Sequence, residues 1–240
     1  MDLNKQITTL LPKAKLNPKL WDENLLLNSE VKANLLKIAE DFIVKSKIKR
    51  KIVKDIVVTG SIANYNWSKY SDIDLHLIID FELTSNEELM KNYLDEKKSN
   101  WNNKHVIEMF GHEVEIYIQD LKEIHTSTGI FSIIKNKWIV VPTHITVKNL
   151  DRPSIIKKAK VINAYIRHLE DLFDKKEYEK VNELSFILKG KLRKMRKSGL
   201  DKYGEYSVEN LAFKVLRRLG RVDKIDDLKT DSYDALLEVE

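Results

Sequence analysis

One segment constrains this chain more than any other. A short apolar strand, Ile56 to Thr59, runs into Gly60-Ser61; ten residues follow, and Asp72-Ile73-Asp74 then opens a second apolar strand reaching Ile79. Side chains two apart on a strand share a face, so the Asp72 and Asp74 carboxylates look the same way. Held that close, they repel each other unless a cation lies between them. Hard divalent ions such as Mg²⁺ take such oxygen ligands, usually together with substrate phosphates. Gly60 lets the backbone approach a ligand closely. Ser61 offers its hydroxyl and amide at the start of an expected helix, where free N–H groups and the helix dipole favour a phosphate. Gly-Ser and Asp-x-Asp pairs taken singly are usually a turn or a solvated strand end. Their joint occurrence between two apolar strands points to a triphosphate cradle and a metal site in one unit.

Gly60-Ser61, the ten-residue spacer and Asp72-x-Asp74 resemble the signature of the DNA polymerase β-like nucleotidyltransferase superfamily, over roughly residues 50–145. As a whole, the chain is also similar to uncharacterised nucleotidyltransferases of bacteriophage genomes. The resemblance implies an α+β fold, with a polymerase β-like core of mixed sheet backed by helices. It also implies transfer of a nucleoside monophosphate from an NTP to an acceptor hydroxyl, with release of pyrophosphate. The family pattern wants a third carboxylate on a neighbouring strand. Val114-Glu115-Ile116 supplies one between apolar residues, and Glu113, on the same face under strict alternation, is the understudy. On this reading Asp72 and Asp74 hold the Mg²⁺ (Mn²⁺ can substitute) that bridges the triphosphate. Asp74 and Glu115 complete a second site that lowers the pKa of the attacking hydroxyl. Gly60 and Ser61 hold the β- and γ-phosphates, and Asn64, Lys69 and Ser71 of the spacer are expected near the nucleotide. Tyr65 and Trp67 can stack on a base, although such aromatics more often pack at domain edges. His76 lines the cleft on the acids' face, and the other histidines show no metal-ligand spacing.

Composition fits an ordinary soluble enzyme. A chain of 240 residues can bury a real core as one large domain or two small ones. Cysteine is absent, which excludes a disulfide-linked partner, a thiolate zinc site and a cysteine nucleophile. The N-terminus lacks a signal-peptide layout and no apolar run approaches membrane-spanning length, so a cytoplasmic protein is expected, without a membrane partner. The balance of 42 Lys+Arg against 37 Asp+Glu leaves only +5. Its distribution says more: six basic residues fall within Lys45–Lys54 and six within Lys189–Lys197. Such clusters bind phosphate backbones or are simply solvated helix faces. The first reads as a helix end and linker; the second is the surface on which an RNA or tRNA acceptor is expected.

Two domains are expected. Residues 1–150 form the catalytic domain, with an irregular N-terminal arm (1–28) and a helix from Asn28 or Ser29 to about Ser46, whose Val31, Leu35, Ile38, Ala39, Phe42 and Ile43 make one apolar face. Thr84-x-x-Glu87 and Ser85-x-x-Glu88 offer overlapping capping boxes for a helix to about Lys98. Hairpins follow around Gly111 and Lys135-Asn136-Lys137. Residues 151–240 are helical: one helix opens at Pro153, a second spans Glu177 to Arg196 and stops before Gly199, and a third runs from Ser207 to Gly220.

Fold and metal site do not fix a substrate. RNA or tRNA ends, proteins modified by toxin-like transferases, and small molecules such as antibiotics are all acceptors within the superfamily. Nucleotide second-messenger synthases share the same acid logic in longer chains. A nucleotide- or RNA-binding module that lost turnover is the reading from another class, and the intact acids weigh against it.

Overall fold

A computed structural model describes residues 3–125, 127–147 and 150–238. It divides into two compact units, Pro12–Thr146 and a second made of Met1–Leu11 with Val147–Glu240. The first eleven residues group with the helices because Leu3, Ile7 and Leu10, around the short helix α1 (Leu3–Thr8), are buried among helical side chains.

The sheet unit opens with α2 (Ser29–Lys45), and its six expected apolar residues are all buried. Next come β1 (Val53–Thr59), β2 (Ile73–Ile79), α3 (Glu87–Lys104), β3 (Glu108–Met109), β4 (His112–Asp120), β5 (Ile130–Ser132) and β6 (Lys137–Val140). They form a mixed sheet in the order β3-β4-β2-β1-β5-β6. Among the described residues, only the β2–β4 pair is parallel. A parallel pair requires a crossover, and α3 supplies it. One face of the sheet presents Ile56, Val58, Ile73, Leu75, Leu77, Val114 and Ile116 to a core shared with Leu35 and Phe42 of α2 and Leu94 and Trp101 of α3. Phe42 and Trp101 meet edge to face at 5.6 Å. Alternation then sends Asp74, His76, Glu113, Glu115 and Tyr117 to the opposite, half-exposed face. That division of faces places the site.

Three local expectations are corrected. The backbone after Gly60 makes a single 3₁₀ turn, Ser61–Ala63, and not an α-helix, so no helix dipole aims at a ligand there. α3 is capped by Asn86, whose side chain accepts from Leu89 N–H, while the Thr84 hydroxyl is spent on the Phe81 carbonyl; the helix also runs on to Lys104. Gly199 does not stop a helix.

In the helical unit, α4 (Arg152–Asp174) starts from an Asp151 cap on Ser154 N–H, and α5 (Tyr178–Tyr203) continues straight through Gly199. A Cβ at Gly199 would lie 2.6 Å from Glu209 Cβ and 2.8 Å from Ser207 Oγ, so the glycine is there for close packing against α6 (Val208–Arg218). α6 ends two residues before Gly220, the expected stop, with Arg221 N–H bonded back to the Leu216 carbonyl. A further helix, α7 (Asp223–Leu237), buries Ile225 and Leu228.

Arg221 forks onto both Glu170 oxygens at 2.9 and 2.8 Å. Hydrogen bonding from Arg221 holds the Glu170 carboxyl below the usual glutamate range. The unfolded chain therefore takes up the proton first as pH falls. The pair's contribution is full above the ordinary glutamate pKa and is lost as pH drops through the folded value. Glu170→Gln should cost about 1 kcal/mol at neutral pH, and urea unfolding should show that difference shrinking in acid.

Among the described residues, no helix is long and apolar enough to cross a membrane.

Candidate functional site

The site is built outward from Gly60. At φ 74° and ψ −159°, this residue ends β1 in a conformation reserved for glycine. A Cβ there would fall 1.6 Å from Asp74 Oδ2, so the Asp74 carboxylate lies directly on the Gly60 backbone. Thr59 is the register partner of Asp74 across β1 and β2. It is only 5% exposed, and its hydroxyl has no hydrogen-bond partner among the described residues.

On the other side of β2, Asp74 is paired in register with Glu115 and His76 with Tyr117. The His76 and Tyr117 rings stack with centroids 4.9 Å apart, and the Tyr117 hydroxyl donates to Glu115 Oε2. His76 Nδ1 lies 2.9 Å from Gln119 Oε1, and Gln119 Nε2 lies 3.1 Å from His125 Nδ1. With the Gln119 amide set that way, His76 donates from Nδ1 and His125 accepts. Burial pushes His76 down to about 4, so at neutral pH the ring is uncharged and adds no positive charge to the acids' face.

Those acids feel one another. Burial first, then the charges of Glu115, Asp72 and Glu108, raise the Glu113 carboxyl above its ordinary value. Repulsion of this kind is relieved by a cation, and carboxylate oxygens are the donors a hard divalent ion prefers. The donor chemistry and the orphaned Thr59 hydroxyl suit such an ion with its water. Among the described residues, however, no three His, Asp or Glu side chains are gathered into a ready-made metal cage.

The spacer closes on itself. Ser61 Oγ donates to Ser71 Oγ at 2.7 Å, and Ser71 Oγ accepts from Ser68 N–H at 2.9 Å. The two serines expected near the nucleotide are thus adjacent, at either end of the loop. Asn64 is 6% exposed and gives its amide to Thr128 Oγ1, 2.9 Å away. Lys69 is exposed and lies over the Tyr70 ring. Tyr65 packs on His144 and Trp67 donates to the Lys15 carbonyl, so both aromatics sit in edge packing.

Residues 12–28 lace this loop down. Lys13 N–H bonds the Tyr65 carbonyl and Trp21 Nε1 donates to the Ile62 carbonyl. A longer link was invisible in the sequence. Lys19 N–H occupies Asn17 Oδ1, which turns the Asn17 amide nitrogen toward His112 Nε2, 2.8 Å away. His112 Nε2 therefore accepts, and its Nδ1–H donates to the Ser71 carbonyl at 2.6 Å. A buried histidine thus fixes the residue immediately before Asp72. Asn17 and His112 are 95 positions apart, and nothing local marks either. Tyr117, by contrast, could have been found two places along from Glu115 on the same face. His112→Ala should cost about 1–2 kcal/mol of stability and, on the role expected for Asp72, lower nucleotidyl transfer about tenfold or more. Single-turnover rates and thermal unfolding of the same preparation check both effects.

A family model described as a nucleotidyltransferase domain matches residues 35–162, more than half of the chain. The match contains Gly60, Ser61, Asp72, Asp74, Glu113 and Glu115. No curated protein matches the sequence. Among solved structures, the chain is similar to a STING-associated CdnE c-di-GMP synthase from Capnocytophaga granulosa, at 16% identity, with 98% of this chain and 88% of that one covered and a TM-score of 0.23.

Proposed function

Because the chain belongs to the nucleotidyltransferase domain family, we propose that it moves a nucleoside monophosphate from an NTP to the hydroxyl of an RNA end, using Asp72, Asp74 and Glu115. The family sets the coarse chemistry: it is a nucleotidyltransferase of polymerase β-like fold. One observation carries the residue assignment. Asp74 rests on the bare backbone of Gly60 and stands in register with Glu115 on the neighbouring strand.

In the proposed reaction, the acceptor oxygen attacks the α-phosphorus in line, the bond to the bridging α–β oxygen breaks, and pyrophosphate leaves. Asp72 and Asp74 are the residues that would hold Mg²⁺ or Mn²⁺, with Glu115 as the third carboxylate. Such an ion would neutralise the triphosphate and acidify the acceptor hydroxyl. Gly60, with no side chain, leaves room for the Asp74 carboxylate against its backbone, and the phosphates would be held by the Ser61 amide and hydroxyl. Tyr117 holds the Glu115 carboxylate in one orientation, and neutral His76 adds no competing cation. RNA is favoured as acceptor by the basic stretch of α5, where Lys191, Arg193, Lys194 and Lys197 are exposed.

The test incubates purified protein with each α-³²P-labelled NTP and total RNA, with Mg²⁺, with Mn²⁺, or with a chelator. Label moving into RNA only when a divalent ion is present is the expected result. Metal-dependent label in protein or in a small product would replace the RNA acceptor. No transfer to any acceptor would end the catalytic reading.

A further inference from the structure

The helical unit holds a recess on the basic stretch of α5, apart from the acids of the sheet unit. It is a cavity of about 340 Å³ beside α5, at the small end of the range for ligand pockets. Lys189, Arg193, Arg196 and Lys197 recur along α5 at steps that return to one helical face, and all four line this cavity. Its floor is apolar, made by Leu192, Leu200 and Phe213. The Arg196 guanidinium lies over the Phe213 ring, 4.8 Å from its centroid, and is pinned there by a 3.1 Å bond from Nε to Asn210 Oδ1. Lys189 is paired with Asp226, while Arg193 and Lys197 are exposed at the rim.

Positive charge is crowded around Arg196. Burial holds the Lys214 ammonium below the ordinary lysine range; Glu205 opposes the shift, and Arg196, Arg218 and Arg217 add to it. Burial, helped by Arg217, likewise holds Arg196 below the usual arginine value. Cations gathered beside a recess are stabilised by an anion seated among them. Arginine forks match phosphate oxygens, and an aromatic ring carrying a guanidinium is a platform on which nucleobases stack. Asp201, the acid on the lining among the described residues, can accept a hydrogen bond from an exocyclic amine or a ribose hydroxyl.

We propose that this recess binds a single nucleotide, with its base on the Phe213–Arg196 platform and its phosphate on Arg193 and Lys197. The nucleotide is either free or one unit of an RNA strand; the recognising chemistry is the same. The inference does not depend on the roles of the acids in the sheet unit.

The test measures binding of AMP, CMP, GMP, UMP and a short single-stranded oligoribonucleotide to the full-length protein by calorimetry, with a chelator present. Arg193→Ala/Lys197→Ala and Phe213→Leu are each expected to weaken Kd at least about tenfold. Asp72→Asn/Asp74→Asn should leave Kd unchanged. Phe213→Leu keeps an apolar floor, so a loss of affinity at unchanged Tm reports the stacking surface. Saturation by a monophosphate identifies a free nucleotide, and binding of the oligonucleotide alone identifies an RNA unit; either supports the recess. Three results would overturn it: no binding of any probe, binding that survives the α5 and Phe213 variants, or inorganic phosphate competing as strongly as a nucleotide.

Discussion

The Asp72→Asn/Asp74→Asn variant is expected to transfer label at least about a thousandfold more slowly than the wild type, while its Tm stays within a few degrees. The substitution keeps the shape of both side chains and removes two negative charges. An amide oxygen is a poor ligand for a hard cation that a carboxylate holds well. The stability side follows from the acids' mutual repulsion. Glu113 is already pushed upward by burial and by its acidic neighbours, Asp72 included. Removing charge from that face relieves repulsion, so the folded protein should lose little or gain slightly. Glu113 should then titrate closer to the ordinary glutamate value, which carboxyl-selective NMR reads directly. A rate within tenfold of wild type would remove the two aspartates from the reaction, whatever the stability outcome.

How much of this was legible follows from where each interaction lives. The strand–turn–strand unit was readable because its signals are local: apolar alternation, one glycine and two acids two apart. The α2 face was readable for the same reason, and Val31, Leu35, Ile38, Ala39, Phe42 and Ile43 are all buried. Start and stop signals were less reliable. Thr84 and Ser85 matched a capping box, yet Asn86 wins the cap because its carboxamide reaches Leu89 N–H while Thr84 bonds backward to Phe81. Gly199 has the composition of a stop, but the chain uses it to let α5 and α6 touch, a requirement set by Ser207 and Glu209. The helix expected after Gly60 shrinks to one turn because the spacer is tied at both ends, Ser61 to Ser71 and Ile62 to Trp21. The site acids were placed on one face by alternation alone. What holds them in place, Asn17 through His112 to Ser71, spans distances along the chain that no local pattern encodes. α7 carries no strong local signal because its apolar positions, chiefly Ile225 and Leu228, are sparse among charged residues.

Gly60→Ala should reduce transfer by about a hundredfold or more and lower Tm by several degrees. Two costs combine at this residue. An alanine at φ 74° and ψ −159° occupies backbone space that only glycine tolerates, which alone costs about 1–3 kcal/mol. The added methyl would also overlap Asp74 Oδ2, at 1.6 Å. Backbone and carboxylate cannot both stay. Either the Asp74 side chain swings off the sheet face or the end of β1 lifts away from its Thr59–Asp74 pairing. The first outcome carries the carboxylate away from Glu115 and the second carries the Gly60-Ser61 turn away from the carboxylate; small misplacements of this kind cost orders of magnitude in rate. Gly111 supplies the control, since it shares a positive φ of 80° but has nothing within 4 Å of where a Cβ would sit. Gly111→Ala should show the backbone cost with near-normal transfer. If the two variants lost rate equally, the Gly60 effect would be a matter of folding. A loss confined to Gly60→Ala, at matched stability, would tie the bare backbone at that position to the seating of Asp74.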